Sequence, residues 1–197
     1  MARVWMIRHG ETEWALAGRH TGRTDLPLTE RGREQARALR GPLAGLVGRV
    51  DAIWSSPLAR ARETAELAGL APTRVVDDLA EWDYGEYEGL STAELREREP
   101  GWSIWTTDIQ RGESLDDVAR RADRLVEQLA RAGGEIVAVA HGHLLRILAV
   151  RWVGLEPVAA RTLSLDTASV SLLEIARDVR VIRHWNAPAA GVMHDAA

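Results

Sequence analysis

Two short apolar runs, each ending in a His-Gly dipeptide, constrain the fold of this chain more than any other feature. Residues 4–7 precede Arg8-His9-Gly10, and residues 135–140 precede His141-Gly142. Each run has the length of a buried strand, and strands that alternate with helices are typical of a sheet covered on both faces. Ligands bind such sheets beyond the carboxyl ends of the strands. The two His-Gly pairs are therefore expected to meet at one edge of the sheet.

The remaining elements follow from periodicity, caps and breakers. Strands are predicted at residues 3–7, 52–54, 75–76, 135–140, 168–176 and 179–185. Helices are predicted at residues 30–39, 58–67, 91–99, 115–132 and 144–153. We expect one domain over residues 1–186, followed by a flexible tail at 187–197.

Several helix boundaries carry specific end signals. Thr29 is expected to cap the helix at 30–39, which Gly41-Pro42 is expected to end. Ser91 and Ser114 each begin a helix, and Ser91 has a glutamate three residues later, as in a capping box. Pro57 is expected in the first turn of the helix at 58–67.

Composition excludes some chemistry. The 197 residues include no cysteine, which rules out disulfides and thiol catalysis. The formal net charge is −4, so we expect neither nucleic acid nor an anionic membrane as a partner.

The first residues contain no long apolar segment, and we therefore expect a cytoplasmic protein. The sequence does not determine the oligomeric state, and a homodimer is one of the alternatives. All 25 cationic side chains are arginine, so any phosphate site must use guanidinium or imidazole groups.

The helix predicted at 58–67 begins with arginines, Arg60 and Arg62. The free N–H groups and the dipole of a helix start favour anions, so cations there are locally unfavourable. A bound phosphate would satisfy the helix start and a guanidinium together. This pattern predicts a phosphate at that helix start.

Five motifs in order along the chain carry a resemblance to a known family. They are Arg8-His9-Gly10-Glu11-Thr12, Thr21 to Thr29, Ser55-Ser56-Pro57-Leu58-x-Arg60, Glu81-x-x-Tyr84-Gly85 and Ala140-His141-Gly142. With them the sequence resembles the histidine phosphatase superfamily, also called phosphoglycerate-mutase-like. The resemblance implies a three-layer α/β/α sandwich with a mostly parallel central sheet.

The resemblance also implies catalytic roles without a metal or another cofactor. His9 would be the nucleophile that becomes a phosphohistidine, and Glu81 would give a proton to the leaving alcohol. Arg8, Arg60 and a protonated His141 would hold the phosphoryl oxygens. These roles agree with general chemistry, because a cation beside an imidazole lowers its pKa and keeps it neutral for attack.

Four longer segments carry a second resemblance: Gly18 to Pro27, Glu81 to Gly89, Trp102-Ser103-Ile104-Trp105 and Ala140-His141-Gly142-His143-x-x-Arg146. They resemble a phosphatase branch that includes fungal sedoheptulose-1,7-bisphosphatase and bacterial acid phosphatases. By that similarity His20, Thr21, Tyr84 and Arg146 would line the substrate pocket. Arg146 could reach a second phosphate or a carboxylate of the substrate, or it could be solvated. The tryptophans near these motifs could face a sugar or only pack; they are Trp82, Trp102 and Trp105.

The mutase branch fits less well. The segment Glu13-Trp14-Ala15-Leu16 lacks the asparagine that usually follows the tryptophan there, and residues 90–112 lack the basic insertion of mutases. We therefore predict a metal-independent phosphomonoesterase acting on a small phosphorylated metabolite, a sugar phosphate or bisphosphate. A phosphoglycerate mutase and a non-catalytic phosphate-binding module are the alternatives.

A zinc site is a rival interpretation of the histidines. His9, His141 and His143 could ligate zinc together with a carboxylate. The flanking arginines argue against it, because they would repel a divalent cation.

Overall fold

The central sheet has six strands, and the computed structural model describes residues 2–47 and 49–189, without the side chains of Leu46 and Val47. The strands are β1 (Ala2–Arg8), β2 (Ala52–Ser55), β3 (Arg74–Val75), β4 (Gly134–Ala140), β5 (Val170–Ala176) and β6 (Val179–Ala187). Their order across the sheet is β3-β2-β4-β1-β5-β6. The first four pair in parallel, and β5 and β6 pair antiparallel. The predicted mostly parallel sheet is confirmed.

Helices cover both faces of the sheet. They are α1 (Glu13–Leu16), α2 (Glu30–Ala38), α3 (Arg40–Val47), α4 (Ala59–Leu67), α5 (Thr92–Arg98), α6 (Leu115–Ala132) and α7 (Gly142–Trp152). Short 3₁₀ helices lie at Asp77–Leu79, Gly85–Tyr87 and Pro157–Thr162.

Alternate residues of β1 enter two separate apolar cores. Val4 and Met6 pack with the buried face of α6 and with α7, whereas Trp5 and Ile7 pack with residues of α3 and α4. Such alternation follows from the two-residue repeat of a strand. Each fully buried leucine or valine contributes roughly 1.5–3 kcal/mol relative to an exposed one. The two cores make the predicted three layers.

The predicted caps are present. The Thr29 side chain accepts a hydrogen bond from the Gly32 N–H, and Ser91 and Ser114 each take part in a capping box. Because each cap satisfies an otherwise free N–H, these residues determine where α2, α5 and α6 begin.

Two predicted boundaries are wrong. Gly41-Pro42 does not end the helical region, because α2 breaks at Leu39 and α3 continues from Arg40. Pro42 lies in the first turn of α3, where the missing N–H of a proline leaves no hydrogen bond unmade. Pro57 precedes α4 rather than lying in it, since the helix begins at Ala59.

The chain ends with the predicted strand pair. Arg177 and Asp178 connect β5 to β6 with φ angles of 49° and 65°, as a two-residue hairpin loop requires. Ala187, which was expected in the flexible tail at 187–197, belongs to β6. Residues 190–197 of that tail lie outside the described part of the chain.

Two glycines bring the loop after β1 against α2. A Cβ on Gly10 would lie 2.4 Å from the Gly32 carbonyl oxygen, and a Cβ on Gly32 would lie 2.1 Å from the Glu11 carbonyl oxygen. No side chain fits in either place, because the obstructing atoms are backbone. This close approach holds the segment that contains His9.

Candidate active site

The carboxyl ends of β1, β2 and β4 place three side chains together. His9, Ser56 and His141 each follow one of these strands. The His9 N–H donates to the Ala140 carbonyl at 2.9 Å, and the ring centroids of His9 and His141 are 5.1 Å apart. The two His-Gly pairs therefore meet at one sheet edge, as the strand pattern predicted.

His9 is held as a neutral imidazole. The ring is 5% exposed, and its Nδ1 lies 2.7 Å from the Gly10 carbonyl oxygen. A carbonyl only accepts, so Nδ1 bears the hydrogen and Nε2 keeps its lone pair. Burial lowers the pKa of His9 well below its usual value, and the charges of Arg8 and Arg60 lower it further.

His141 is neutral as well, which corrects the expectation of a protonated ring. Arg60 Nε donates to its Nδ1 at 3.2 Å, so the hydrogen of the ring is on Nε2, 2.7 Å from the Ser56 hydroxyl oxygen. Burial lowers the pKa of His141 well below the usual value, with Arg60, His9 and Arg8 adding to the effect. The ring remains a donor through Nε2.

Arg60 lies behind His141 rather than at the cavity surface. Its side chain is fully buried, and its guanidinium donates to the carbonyls of Thr21, Gly22 and Thr24 at 2.9–3.2 Å. In the ligand-free protein Arg60 therefore orients His141 and holds the 21–24 loop. The role implied by the resemblance, direct contact with phosphoryl oxygens, requires some of these bonds to be exchanged.

The start of α4 is satisfied by the chain itself, so the prediction of a phosphate there is wrong. Both carboxylate oxygens of Asp25 accept from the Ala59 N–H, at 3.0 and 2.8 Å. Asp25 also lies 3.6 Å from the Arg60 guanidinium. An internal carboxylate thus provides the negative charge that the helix start favours.

Glu81 lies at the start of α7, where it is buried rather than solvated. One carboxylate oxygen accepts from the N–H groups of Trp82 and Leu144, each at 2.9 Å, and the other from the His143 N–H at 3.1 Å. Three backbone donors stabilise the carboxylate and determine its position on the cavity wall.

Arg8 enters the same cavity from the end of β1. Its guanidinium donates to the Leu165 carbonyl and lies against Gly142, where an added Cβ would be 3.3 Å from Arg8 Nε. Arg8 Nε is buried and has no hydrogen-bond partner among the described residues. Burial lowers the pKa of Arg8. An unsatisfied buried donor of this kind favours an anionic ligand.

The backbone of Arg8 and His9 is fixed by Ala168. The Ala168 N–H donates to the carbonyls of both residues, at 3.0 and 3.1 Å. Ala168 is buried and has a φ of 53°, a conformation that costs energy for a residue with a Cβ. The loop before β5 therefore supports the segment that contains His9.

A cavity of about 390 Å³ opens above His9. Four arginines line it, Arg8, Arg19, Arg96 and Arg146, but the only carboxylate along its described wall is that of Glu81. Arg19 forms an ion pair with Glu94 at 3.1 Å, which leaves the other three positive charges without a carboxylate partner among the described residues. The cavity is suited to a ligand with more than one negative charge.

The four predicted substrate-binding residues all line this cavity: His20, Thr21, Tyr84 and Arg146. Burial lowers the pKa of His20 to about 4, and the Thr21 hydroxyl donates to the Arg19 carbonyl at 3.2 Å. Arg146 Nε donates to the Ala160 carbonyl at 3.1 Å, and its guanidinium lies 4.7 Å from the centre of the Trp105 ring. Stacking holds the planar cation in one orientation.

The three tryptophans divide between core and cavity. Trp82 is fully buried and its indole donates to the Glu113 carbonyl at 2.7 Å, so it packs in the core. Trp102 and Trp105 line the cavity.

Sequence reasoning missed the cavity arginines Arg19 and Arg96 and did not assign His143 to the wall. A signal for His143 was present, because His143 and Arg146 are three residues apart and so share one face of α7. No comparable signal pointed to Arg96, which reaches the cavity from a different helix, α5.

The zinc interpretation lacks a ligand set. Both ring nitrogens of His141 bond to protein groups, and His143 Nδ1 bonds to the Tyr84 hydroxyl. Within residues 2–47 and 49–189, no three histidine or acidic side chains are grouped as a metal site requires.

In the same ranges, no helix is long and apolar enough to span a membrane.

The His9 ring is expected to stay neutral from pH 8 to well below pH 6.5. Because its pKa is lowered in the folded state, the unfolded chain takes up the proton first. His9 therefore contributes stability that is present above pH 6.5 and is lost as the pH falls through its folded pKa. An NMR titration of the His9 ring signals measures its pKa in the folded protein, and the same titration in denaturant gives the pKa in the unfolded chain as the control. A midpoint near 6.5 in the folded protein would contradict it.

Comparison with known proteins places these features in context. The sequence profile of the histidine phosphatase superfamily, branch 1, matches residues 4–188. An acid phosphatase of Mycobacterium tuberculosis is 42% identical over 181 residues, covering 90% of this chain and 89% of the relative. A sedoheptulose 1,7-bisphosphatase of Saccharomyces cerevisiae is 34% identical over 184 residues, covering 78% of this chain and 68% of the relative.

The fold has a close structural counterpart as well. The solved structure of an open-reading-frame product of Mycobacterium tuberculosis superposes with a TM-score of 0.89 at 39% sequence identity. The superposition covers 95% of this chain and 98% of that one.

Proposed function

This chain belongs to the histidine phosphatase superfamily, branch 1, and on that premise we propose that it hydrolyses a small sugar phosphate or bisphosphate through a phosphohistidine at His9. Its enzyme class is phosphatase. The observation that carries the proposal is the neutral His9 ring, whose Nε2 has no hydrogen-bond partner among the described residues. His9 lines the same cavity as the four arginines and Glu81.

In the first step His9 Nε2 attacks phosphorus, so that a P–N bond forms as the P–O ester bond breaks. The leaving oxygen takes a proton from Glu81, and the alcohol departs. The phosphoryl group carries charge spread over its oxygens, so positioning and electrostatic stabilisation supply most of the catalysis. Arg8 donates to these oxygens, and His141 does so through Nε2 if it exchanges its bond to Ser56.

In the second step a water molecule attacks the phosphohistidine. Glu81, now a carboxylate, takes a proton from that water, and the P–N bond breaks to release inorganic phosphate. Glu81 must therefore be protonated before the first step.

Arg146 supports a substrate with a second anionic group. Its guanidinium is stacked on Trp105, lines the cavity and has no carboxylate partner among the described residues. A planar cation held in this way can bind a phosphate or carboxylate through two parallel hydrogen bonds. Of the two proposed substrate types, Arg146 therefore favours the sugar bisphosphate.

Phosphate release from a substrate panel tests the proposal. The panel contains an aryl phosphate, a sugar monophosphate, the matching sugar bisphosphate, and 3-phosphoglycerate with its bisphosphate primer. We expect the bisphosphate to have the highest kcat/KM, and Arg146→Gln to reduce its advantage about tenfold. Arg62→Gln, an exposed arginine on α4, is the control and should leave that ratio unchanged. The proposal is wrong if no member releases phosphate, or if 3-phosphoglycerate is isomerised instead of hydrolysed.

A further inference from the structure

Tyr84 and His143 form a buried pair beside Glu81. The Tyr84 hydroxyl oxygen lies 2.7 Å from His143 Nδ1, and Tyr84 is 1% exposed. The His143 ring is surrounded by the rings of His20, Trp82 and Trp105, with centroids 5.1–6.1 Å away. These contacts hold the ring in a single orientation.

Counting donors and acceptors assigns the protons of this pair. If Nδ1 donated to the phenol oxygen, the buried phenol hydrogen would have no acceptor among the described residues, at a cost of about 1–3 kcal/mol. If the phenol donates to Nδ1, both the hydroxyl hydrogen and Nδ1 have a partner. Burial raises the pKa of Tyr84 well above its usual value, so the hydroxyl keeps its hydrogen.

His143 therefore has its ring hydrogen on Nε2. Burial lowers the pKa of His143 well below the usual value, and the charges of Arg146, His20 and Arg8 lower it further, so the ring is neutral. No protein acceptor within the described residues bonds to Nε2, and His143 lines the cavity. The site thus has an imidazole donor whose tautomer is set by the nearly fully buried hydroxyl-bearing ring of Tyr84.

The position of this donor relates it to the alcohol part of the substrate. The His143 backbone N–H bonds to Glu81, the residue proposed to protonate the leaving oxygen, and Arg146 lies one turn further along α7. His143 thus contacts Glu81 through its backbone and shares one face of α7 with Arg146.

We propose that His143 Nε2 donates a hydrogen bond to an oxygen of the substrate's alcohol part, and that Tyr84 acts as its positioning residue. The site would thereby select phosphate monoesters of hydroxyl- or carboxylate-bearing alcohols over aryl phosphates, which lack such an oxygen. This inference rests on the proposed phosphatase function of the same cavity.

NMR of the histidine rings tests the proton assignment without any turnover. Nitrogen–proton correlation spectra of the wild type should show His143 with a protonated Nε2 and an unprotonated, hydrogen-bonded Nδ1. Tyr84→Phe should shift the Nδ1 signal, and Tyr87→Phe, the same change at the other tyrosine, should not. A hydrogen on Nδ1 in the wild type would overturn the proposal.

Kinetics test the selectivity. Glutamine places its amide nitrogen near the position of Nε2, whereas asparagine reaches only the position of Nδ1. We expect His143→Asn to lower the kcat/KM ratio of sugar phosphate to aryl phosphate about tenfold, His143→Gln to retain most of that ratio, and Tyr84→Phe to fall between them.

The outcomes separate this inference from the function on which it rests. If the wild type hydrolyses neither substrate, the proposed function fails. If it hydrolyses both and His143→Asn lowers the two kcat/KM values equally, the function stands and the selective role of His143 is wrong. Thermal unfolding of each variant identifies any loss that comes from misfolding.

Discussion

Replacing His9 by alanine or asparagine is expected to lower kcat/KM by roughly 10⁴-fold or more, since removal of the proposed covalent nucleophile leaves only binding and electrostatic stabilisation. The two variants differ in what they keep. Asparagine can still donate to the Gly10 carbonyl from the position of Nδ1, but it has no atom at the position of Nε2. Equal loss in both variants would show that Nε2, rather than the structural bond, carries the activity.

Two measurements complete this test. Thermal unfolding should show that His9→Asn is nearly as stable as the wild type, because it keeps the buried hydrogen bond. Phosphorus NMR of wild type quenched in alkali during turnover should show a phosphohistidine signal, and both variants should lack it. Activity of a folded His9→Ala protein within tenfold of the wild type would rule out the nucleophile.

Glu81→Gln is expected to lower kcat for an alkyl phosphate by about 10²–10⁴-fold. An amide cannot give a proton to the leaving alkoxide. An aryl phosphate, whose leaving group is stable without a proton, should lose tenfold or less. Comparing the two substrates in one variant therefore isolates proton donation from binding. A similar loss on both substrates would contradict the assignment of Glu81.

The same variant is expected to be less stable. An amide nitrogen cannot accept the backbone hydrogen bonds of Trp82, His143 and Leu144, so at least one of these three donors loses its partner, at a cost of about 1–3 kcal/mol. Glu88→Gln is the matched control, because Glu88 also accepts backbone N–H bonds, from Arg23 and Thr24. It should lose stability by a similar amount without any dependence on the leaving group.

The errors of the sequence interpretation have a common physical cause. The α4 start was expected to hold a phosphate because the local sequence shows a helix start with arginines and no acidic residue. The local sequence does not show which negatively charged group binds there. Asp25, more than thirty residues earlier in the chain, supplies the carboxylate. Likewise, the neutral form of His141 depends on its burial and on Arg60 donating to its Nδ1, and no local pattern contains either.

The sequence by itself determined the layers of the fold, the order of most elements, the helix caps and the two histidines that meet, because apolar periodicity, capping residues and strand ends act within a few positions. Only the tertiary structure decided that the buried Arg60 donates to His141, that Glu81 accepts from the first N–H groups of α7, and that the Tyr84 hydroxyl bonds to His143. These pairings depend on side chains from distant segments competing for a limited number of buried donors and acceptors, and that competition is resolved only when the chain is packed.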